Sequence, residues 1–343
     1  MMRAAAGLSV AVRRASGEIV VREQLVHPAG ERHPTLKLPL LRGIVVLFET
    51  VAAGFDALDF SAKQTEVRPP TTDAKSAPEQ TPTTAPAAAA AAGNAASAPT
   101  TEAAPASTWG TTLTFVVAIG LGLGLFVALP HGLSVATGNM FGGFALSSPV
   151  FHLVAGFFKL AIFIGYLSLL SLLPDVRRVF MYHGAEHMVI ATFEAQEPLD
   201  VAHARTHTTF HARCGTSFLL VVVLASIVVF AVILPLVPGL GDGLGSHLGA
   251  LAIKIPLLLP IAALAYEVNR YAAEHLQSRV VRALVTPGFW MQRLTTRKPT
   301  DDMLEVSIAS LKAALHRQAA GAGSAPASIV VYPDFGAVLR ALA

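Results

Sequence analysis

Charged residues and cysteine are both scarce in this chain of 343 residues. Only 14% of the residues are charged and 53% are hydrophobic, whereas a soluble domain usually carries about 25% charged residues. The single cysteine excludes an internal disulfide framework and fits a reducing, cytosolic environment. No basic block with interleaved aromatic residues is present, so we expect no nucleic acid partner. The composition therefore indicates an integral membrane protein.

Long apolar runs and the distribution of basic residues predict how the chain crosses the membrane. The runs long enough to cross a hydrocarbon core of about 30 Å are 111–129, 149–173, 216–237 and 247–266. The linkers 130–148 and 238–246 contain no Lys or Arg, whereas the segment 174–215 and both terminal regions contain several. By the positive-inside rule, both termini and the 174–215 loop face the cytoplasm. We expect a multi-pass protein of the inner (plasma) membrane, with membrane lipid as a partner.

The segments outside the apolar runs complete a division into four units. Residues 1–60 contain two alternating runs that predict a small β-hairpin, followed by an apolar but charged stretch typical of an interfacial helix. Residues 61–108 are rich in Ala, Pro, Thr and Ser and are predicted to be a disordered linker. Residues 109–282 hold the four transmembrane helices, and residues 283–343 form a cytoplasmic tail. No apolar run typical of a cleavable signal peptide is seen near the start.

Three features are predicted within this tail. Thr286-Pro287-Gly288 is expected to break the helix that continues from the fourth span. Residues 301–315 carry apolar side chains at helical spacing and are predicted to form an amphipathic helix. The run Ser328–Tyr332 is a candidate strand.

Histidines concentrate in the 174–215 loop, and the cysteine lies among them. His183-Gly184-Ala185-Glu186-His187 reads as H-x-x-E-H, a pattern in which two histidines hold zinc and the glutamate activates water. His183 and His187 share one face of a helix. His207, His211 and Cys214 have the spacing of a second one-sided helical stripe. The two stripes predict a His-rich helical hairpin that offers ligands to one divalent metal, in the first place zinc.

Each of these residues also has a simpler interpretation. His183 and His187 are compatible with a hydrogen-bonded helix face at the membrane surface, and Cys214 with a small buried side chain. Glu267 directly follows an apolar run, where a carboxylate is costly unless it is paired or coordinated. It therefore either completes the metal site or pairs with an arginine. If Glu186 stays free, the site keeps an open position for catalysis; if Glu186 binds the metal, the site is closed or suits iron or manganese better.

Long motifs in the chain resemble the YqhQ-like family of bacterial multi-pass membrane proteins, whose function is unknown and which are commonly described as predicted metal-dependent enzymes. The motifs cover 178–190, 206–218, 265–270 and 286–311. The likeness extends over most of residues 1–60 and 110–315, and it implies a membrane protein with metal-dependent activity. The chain departs from the family by starting at Met1-Met2-Arg3, without the Gly-rich stretch that usually precedes these residues, and by its insert at 62–107.

The predicted fold is mainly α-helical: about four transmembrane helices, a cytoplasmic His-rich hairpin and a small N-terminal β element. The predicted function is a membrane-embedded metal-dependent hydrolase that acts on peptide or lipid-derived substrates, with Glu186 as the general base. The predicted ligands are His183, His187, His207, His211, Cys214 and Glu267. A non-enzymatic metal-binding scaffold, assembly factor or metal-handling protein is the alternative. Transport is a third interpretation, suggested by Lys159 and Lys254 within the spans, and four spans would then need a homo-oligomer.

Overall fold

The computed structural model describes the chain except residues 5–6, 27–28, 30–32, 66–107, 212–213, 242, 321–327 and 343. The strands are β1 (Met2–Arg3), β2 (Gly7–Arg13), β3 (Ile19–Leu25) and β4 (Ser328–Tyr332). The helices are α1 (Leu41–Thr65), α2 (Thr108–Leu123), α3 (Leu129–Met140), α4 (Pro149–Leu170), α5 (Pro174–Glu194), α6 (Val201–Ala204), α7 (Gly215–Ile233), α8 (Leu244–Glu274), α9 (Arg279–Thr295), α10 (Asp301–Ala320) and α11 (Phe335–Ala341). The predicted linker 61–108 lies outside the described residues except for its ends, which are helical.

In the described part of the chain, four helical stretches are long and apolar enough to cross a membrane, as the sequence predicts. They are Val116–Met140, Pro149–Leu170, Gly215–Leu236 and Leu244–Glu274. The first differs from the expected run, which ends near residue 129, because the helix continues through Pro130 to Met140. A π turn at Gly124–Ala128 directly precedes this proline. A wider turn accommodates the proline ring, which would otherwise clash with the carbonyl four residues earlier.

The helix break predicted at Thr286-Pro287-Gly288 is wrong. The long helix α8 ends at Glu274, and α9 runs without interruption through Pro287 to Thr295. Gly288 packs directly on α7, where a Cβ atom would lie 2.9 Å from the hydroxyl oxygen of Ser217. Tertiary packing thus overrides the local tendency of a Pro-Gly pair to end a helix, and it brings the end of α9 beside the beginning of α7.

The two ends of the chain form one antiparallel sheet, with the strand order β1-β2-β3-β4. The strand β4 pairs with β3, so that Val331 lies opposite Val20. Alternate side chains cover the two faces of the sheet: Val10, Val12 and Val20 pack on α1, whereas Ile19 and Val21 pack on α10.

Within the predicted C-terminal tail 283–343, the elements α10, β4 and α11 pack with this sheet. The helix α10 lies between the sheet and α5, with apolar contacts to both. The side chains of this helix are buried on nearly all sides, so the predicted amphipathic helix is instead a central packing element.

Cysteine cross-linking tests the position of β4. In a Cys214→Ser background, we expect the pair Val21→Cys and Val330→Cys to form a disulfide on mild oxidation. These residues are direct partners across β3 and β4, and such Cα atoms lie about 4.5–5.5 Å apart. The measurement is the mobility shift on non-reducing gels.

The control pair is Val21→Cys with Ile329→Cys, because residue 329 is one position away and points to the other face of the sheet. Equal cross-linking of both pairs, or of neither pair, would argue against the register that the structure shows.

Candidate metal centre

Two of the predicted ligands lie one turn apart on α5 and meet the cysteine. The ring centroids of His183 and His187 are 4.4 Å apart, and the Nε2 atom of His183 is 3.3 Å from the Sγ atom of Cys214. Ligand atoms of all three residues lie within 4.8 Å of one another. We call them the His–His–Cys group. His187 and Cys214 are buried, and His183 is partly buried.

Backbone carbonyls orient both imidazoles of this group. The Nδ1 atom of His183 lies 2.8 Å from the carbonyl oxygen of Thr295, and the Nδ1 atom of His187 lies 2.6 Å from that of Thr209. A carbonyl oxygen can only accept, so each Nδ1 atom donates its hydrogen. The two Nε2 atoms are then left to face the thiol. Histidines that bind metals in proteins commonly have this arrangement, so the residues fit a metal.

The thiol of Cys214 is strongly acidified in this position. Burial by itself would raise the pKa of Cys214, but hydrogen bonds with His183 and His187 outweigh it and lower the pKa to about 5. Cys214 also precedes the first residue of α7, and its Sγ atom accepts from the backbone N–H of Thr216 at 3.4 Å. The positive end of a helix favours a negative charge there. The thiolate, which is the metal-binding form, is thus the favoured state.

The pKa of His183 is shifted by the same neighbour. Burial lowers this pKa, but the hydrogen bond and the charge of Cys214 raise it further than burial lowers it. Each side chain therefore favours the charged form of the other: His183 favours the thiolate of Cys214, and Cys214 favours the protonated ring of His183. Such a pair is neutral as a unit, which reduces the cost of placing it in a partly buried position.

The predicted second helical stripe does not form. The short helix α6 ends at Ala204, the residues 205–211 are not helical, and α7 begins only at Gly215. The His-rich helical hairpin is therefore a helix followed by an extended loop. Threonines at 206, 208 and 209 disfavour a helix because their side chains are β-branched and compete for backbone hydrogen bonds.

The other histidines of the loop have carboxylate partners outside the His–His–Cys group. The Nε2 atom of His207 is 2.8 Å from the Oε2 atom of Glu197. The Nε2 atom of His211 lies 3.2 Å from the Oε2 atom of Glu194. The ring centroid of His211 is 5.7 Å from the ring centroid of His187. His203 contacts the Asp200 carboxylate at 2.8 Å. In the described part of the chain, the group thus contains His183, His187 and Cys214, and neither His207 nor His211.

Glu267 also lies outside the group. Its carboxylate makes two hydrogen bonds with the guanidinium of Arg42, one of them 2.7 Å long from the Nε atom. It also accepts the backbone N–H of Leu40 at 3.2 Å. Of the two roles that the sequence leaves open, the structure shows pairing with an arginine. This ion pair joins the start of α1 to α8.

A buried glutamine that sequence reasoning missed holds the loop against α9. The side chain of Gln292 is fully buried. Its amide nitrogen donates to the carbonyl of His211 at 2.8 Å and to the Ser217 hydroxyl at 2.9 Å, and its oxygen accepts the N–H of His211 at 2.9 Å. Because His211 is not in a helix, the side chain of Gln292 supplies the hydrogen-bond partners of its backbone N–H and carbonyl groups. Gln292 therefore fixes the loop that carries the carbonyl of Thr209 and the thiol of Cys214.

Gly184 permits the close crossing that completes the site. A Cβ atom on Gly184 would lie 2.1 Å from the carbonyl oxygen of Arg297. The N–H of Arg297 donates to the carbonyl of Phe180 at 2.9 Å, so the chain after α9 lies directly on α5. Only glycine allows this approach, which brings the carbonyl of Thr295 to His183. A glycine between two candidate ligands inside a helix was the available signal in the sequence.

Glu186 faces a cavity and is not part of the His–His–Cys group. Its carboxylate lies 2.9 Å from the amino nitrogen of Met1 and is partly exposed. The cavity has a volume of about 700 Å³, and both Glu186 and His183 line it. Most of the remaining wall is apolar and comes from β2, α1, α5 and α10, with Val10, Val12, Ala57, Leu58 and Val179 among the residues. A catalytic role for Glu186 remains a prediction.

Comparison with known proteins places the chain in a family. Residues 38–317 match the family described as "Protein of unknown function (DUF1385)", and the chain belongs to it. The chain is 33% identical over 180 residues to "Uncharacterized protein YqhQ" of Bacillus subtilis (strain 168). The aligned region covers 51% of this chain and 54% of that protein. It thus spans about half the length of the curated relative it matches. No solved structure matches it. The family predicted from the sequence motifs is confirmed.

Metal analysis of single variants tests the ligand set. We expect the purified protein to bind close to one equivalent of zinc or another first-row divalent metal. His183→Ala, His187→Ala and Cys214→Ser should each weaken binding by more than the 10–100-fold that loss of an outer partner usually costs. His207→Ala and His211→Ala are the matched controls and should retain the metal. Equal losses of metal binding in the controls would instead support the ligand set predicted from the sequence.

Gly184→Ala tests the crossing of the chain over α5. On helix propensity alone, this change would stabilise the protein by about 1 kcal/mol. We expect destabilisation by about 1–3 kcal/mol instead, because the new methyl group overpacks against the Arg297 carbonyl, together with weaker metal binding. Gly54→Ala is the control, since that helical glycine has open space around it. A stable Gly184→Ala protein with full metal binding would contradict the geometry.

Proposed function

We propose that this chain is a membrane-embedded, metal-dependent hydrolase that acts on a lipid-derived substrate at the cytoplasmic surface of the plasma membrane. The observation that carries the proposal is that His183, one member of the His–His–Cys group, lines a cavity of about 700 Å³, with Glu186 on the same wall and outside the ligand set. Three protein ligands with a free carboxylate nearby are typical of catalytic zinc sites.

His183, His187 and Cys214 would hold the metal through two imidazole nitrogens and a thiolate. A divalent metal bound there supplies Lewis acidity and lowers the pKa of water to near neutrality. The carbonyls of Thr295 and Thr209 keep the Nδ1 hydrogens of the two histidines, so both rings stay in one tautomer. This orientation does not depend on the substrate, which is the preorganisation that catalysis requires.

Glu186 is proposed to accept the proton from the attacking water. A general base has to reach the reacting group while remaining free of the metal. Glu186 precedes the ligand His187 on the same helix, and its carboxylate faces the cavity instead of joining the ligand atoms. The side chain of Glu186 is partly exposed and lines the cavity, which supports a role for its carboxylate on the cavity side.

The cavity favours an amphiphilic substrate over a polar one. Its wall combines apolar residues with Arg178 and Tyr182 on α5. The helix α5 begins at Pro174, four residues after α4 ends at Leu170, and α4 is one of the candidate spans. Arg178 is thus about one turn into α5. An acyl chain would contact the apolar wall, and an anionic head group would be attracted to Arg178.

The same residues suggest a rival function as a metal-binding scaffold. Only His183 of the group lines the cavity, whereas His187 and Cys214 are buried. A group enclosed in this way also suits a structural metal that stabilises the packing of α5, α7 and α9. The orientation is proposed to be the same in both cases, with the termini and the site in the cytoplasm, as the positive-inside rule predicts.

Glu186→Gln separates the two functions. The amide keeps the shape of the side chain but cannot accept a proton, so a hydrolase should lose about 10²–10⁴ in rate while its metal content and stability remain near those of the wild type. His183→Ala should lose both metal and function. The measurements are metal content, thermal unfolding, and complementation of a strain that lacks the protein.

Glu274→Gln serves as the control, since Glu274 is exposed and forms an exposed ion pair with Arg270, and it should complement fully. Full complementation by Glu186→Gln, combined with failure of His183→Ala, would favour the scaffold. Complementation by both variants would show that the function does not require the His–His–Cys group.

A further inference from the structure

A second polar site lies inside the bundle of apolar helices. Lys159 on α4 and Lys254 on α8, which the sequence places within candidate spans, are both buried. They meet His131 of α3 and His152 of α4, which are buried as well, around one small cavity. We call these four residues the basic cluster. Because both lysine side chains are buried, their ammonium groups are not placed in water at the ends of the helices.

The hydrogen bonds of the basic cluster form a chain that leaves donors facing the cavity. The Nζ atom of Lys254 is 2.9 Å from the Nδ1 atom of His131, whose Nε2 atom is 3.1 Å from the Nδ1 atom of His247. An ammonium group can only donate, so His131 accepts from Lys254 and donates to His247. The Nζ atom of Lys159 donates to the Ser226 hydroxyl at 3.0 Å. Each lysine keeps further N–H groups that these bonds do not use.

His152 adds a buried side chain without a hydrogen bond of normal geometry to the same cavity. Its exposure is 2%, and neither ring nitrogen has a hydrogen-bond partner of normal geometry in the described part of the chain. The carbonyl of Leu146 is near enough to attract a ring N–H, but the ring also lines the cavity. A buried polar group left without a full partner destabilises the folded state, so a ligand in the cavity would offset this cost.

The charges of the basic cluster are not balanced by acidic side chains. Within the described residues of the four candidate spans, the acidic residues are Glu267 and Glu274. Glu267 is thirteen residues beyond Lys254, which is about 20 Å along a helix, and it already pairs with Arg42. Both ammonium groups lie near the ring of Phe230, 4.6 and 5.6 Å from its centroid. The ring face attracts cations but does not neutralise them.

We propose that the basic cluster binds a small monovalent anion of halide size, such as chloride, between α3, α4 and α8. The groups around the cavity are ammonium and imidazole, without a carboxylate among the residues that line it, and a charge within an apolar bundle is costly unless it is paired. The cavity volume is about 10 Å³, room for about one particle of the size of water. A halide is therefore a better fit to this cavity than the larger phosphate and sulfate ions. This site is independent of the His–His–Cys group.

Anion-dependent stability of the full chain in lipid nanodiscs tests this proposal. Thermal unfolding is measured at constant ionic strength while sodium gluconate is replaced by sodium chloride or bromide. We expect the melting temperature to rise with halide and to saturate, because a ligand of the folded state stabilises it by mass action. Lys159→Met and Lys254→Met should each weaken halide binding at least about tenfold. The control Lys63→Met, in which an exposed lysine is changed, should respond like the wild type.

Localisation of the ion removes the dependence on variants that fail to fold. Bromide bound to the wild-type protein should be found by anomalous diffraction beside Lys159 and Lys254. Bromide found only elsewhere overturns the proposal, as does a saturable response that both folded methionine variants retain, since an adventitious ion would then explain it. Absence of any saturable halide response in the wild type also overturns it and indicates that the cavity holds water between neutral amines.

Discussion

The hydrogen bonds from two imidazoles to backbone carbonyls determine what the His–His–Cys group can do. The carbonyl of Thr295 comes from the end of α9, and that of Thr209 comes from the loop before α7. Without them, α5 would present two rings free to rotate, and either nitrogen of each ring could face the thiol. The close crossing at Gly184 and the buried amide of Gln292 both serve to bring these carbonyls within reach. The geometry of the site thus depends on how the helices α5, α7 and α9 pack together.

The two polar sites of the molecule achieve charge balance in different ways. In the His–His–Cys group, the acidified thiol and its histidine neighbour favour opposite charges, so the residues balance one another. The basic cluster among the apolar helices consists of groups of one sign, with Phe230 as an uncharged neighbour. The cost of burying charge is the same physical constraint in both places. In one place the protein supplies the counter-charge, and in the other we propose that a bound anion supplies it.

The sequence predicted the elements of the fold better than their assembly. The four apolar helices, the N-terminal hairpin and the strand Ser328–Tyr332 follow from local patterns of apolar side chains, which are strong signals. The pairing of β4 with β3 is a contact between the two ends of the chain, and no local pattern encodes it. For the site, H-x-x-E-H identified α5 correctly as a helix with both histidines on one face. The loop of His207 and His211 was mistaken for a helix because regular spacing also arises by chance, and the role of Gln292 depends on burial that spacing does not reveal.

The union of both chain ends in one sheet has a consequence for how the protein is made. The strands β1 to β3 leave the ribosome first, but β4 follows only after all four apolar helices. The sheet and its central helix α10 therefore cannot close until the chain has been synthesised past all four apolar helices. The early strands have to remain unpaired along one edge during this interval, and unpaired edges are prone to wrong association. The sheet is thus open to wrong pairing during translation, in the interval before β4 emerges.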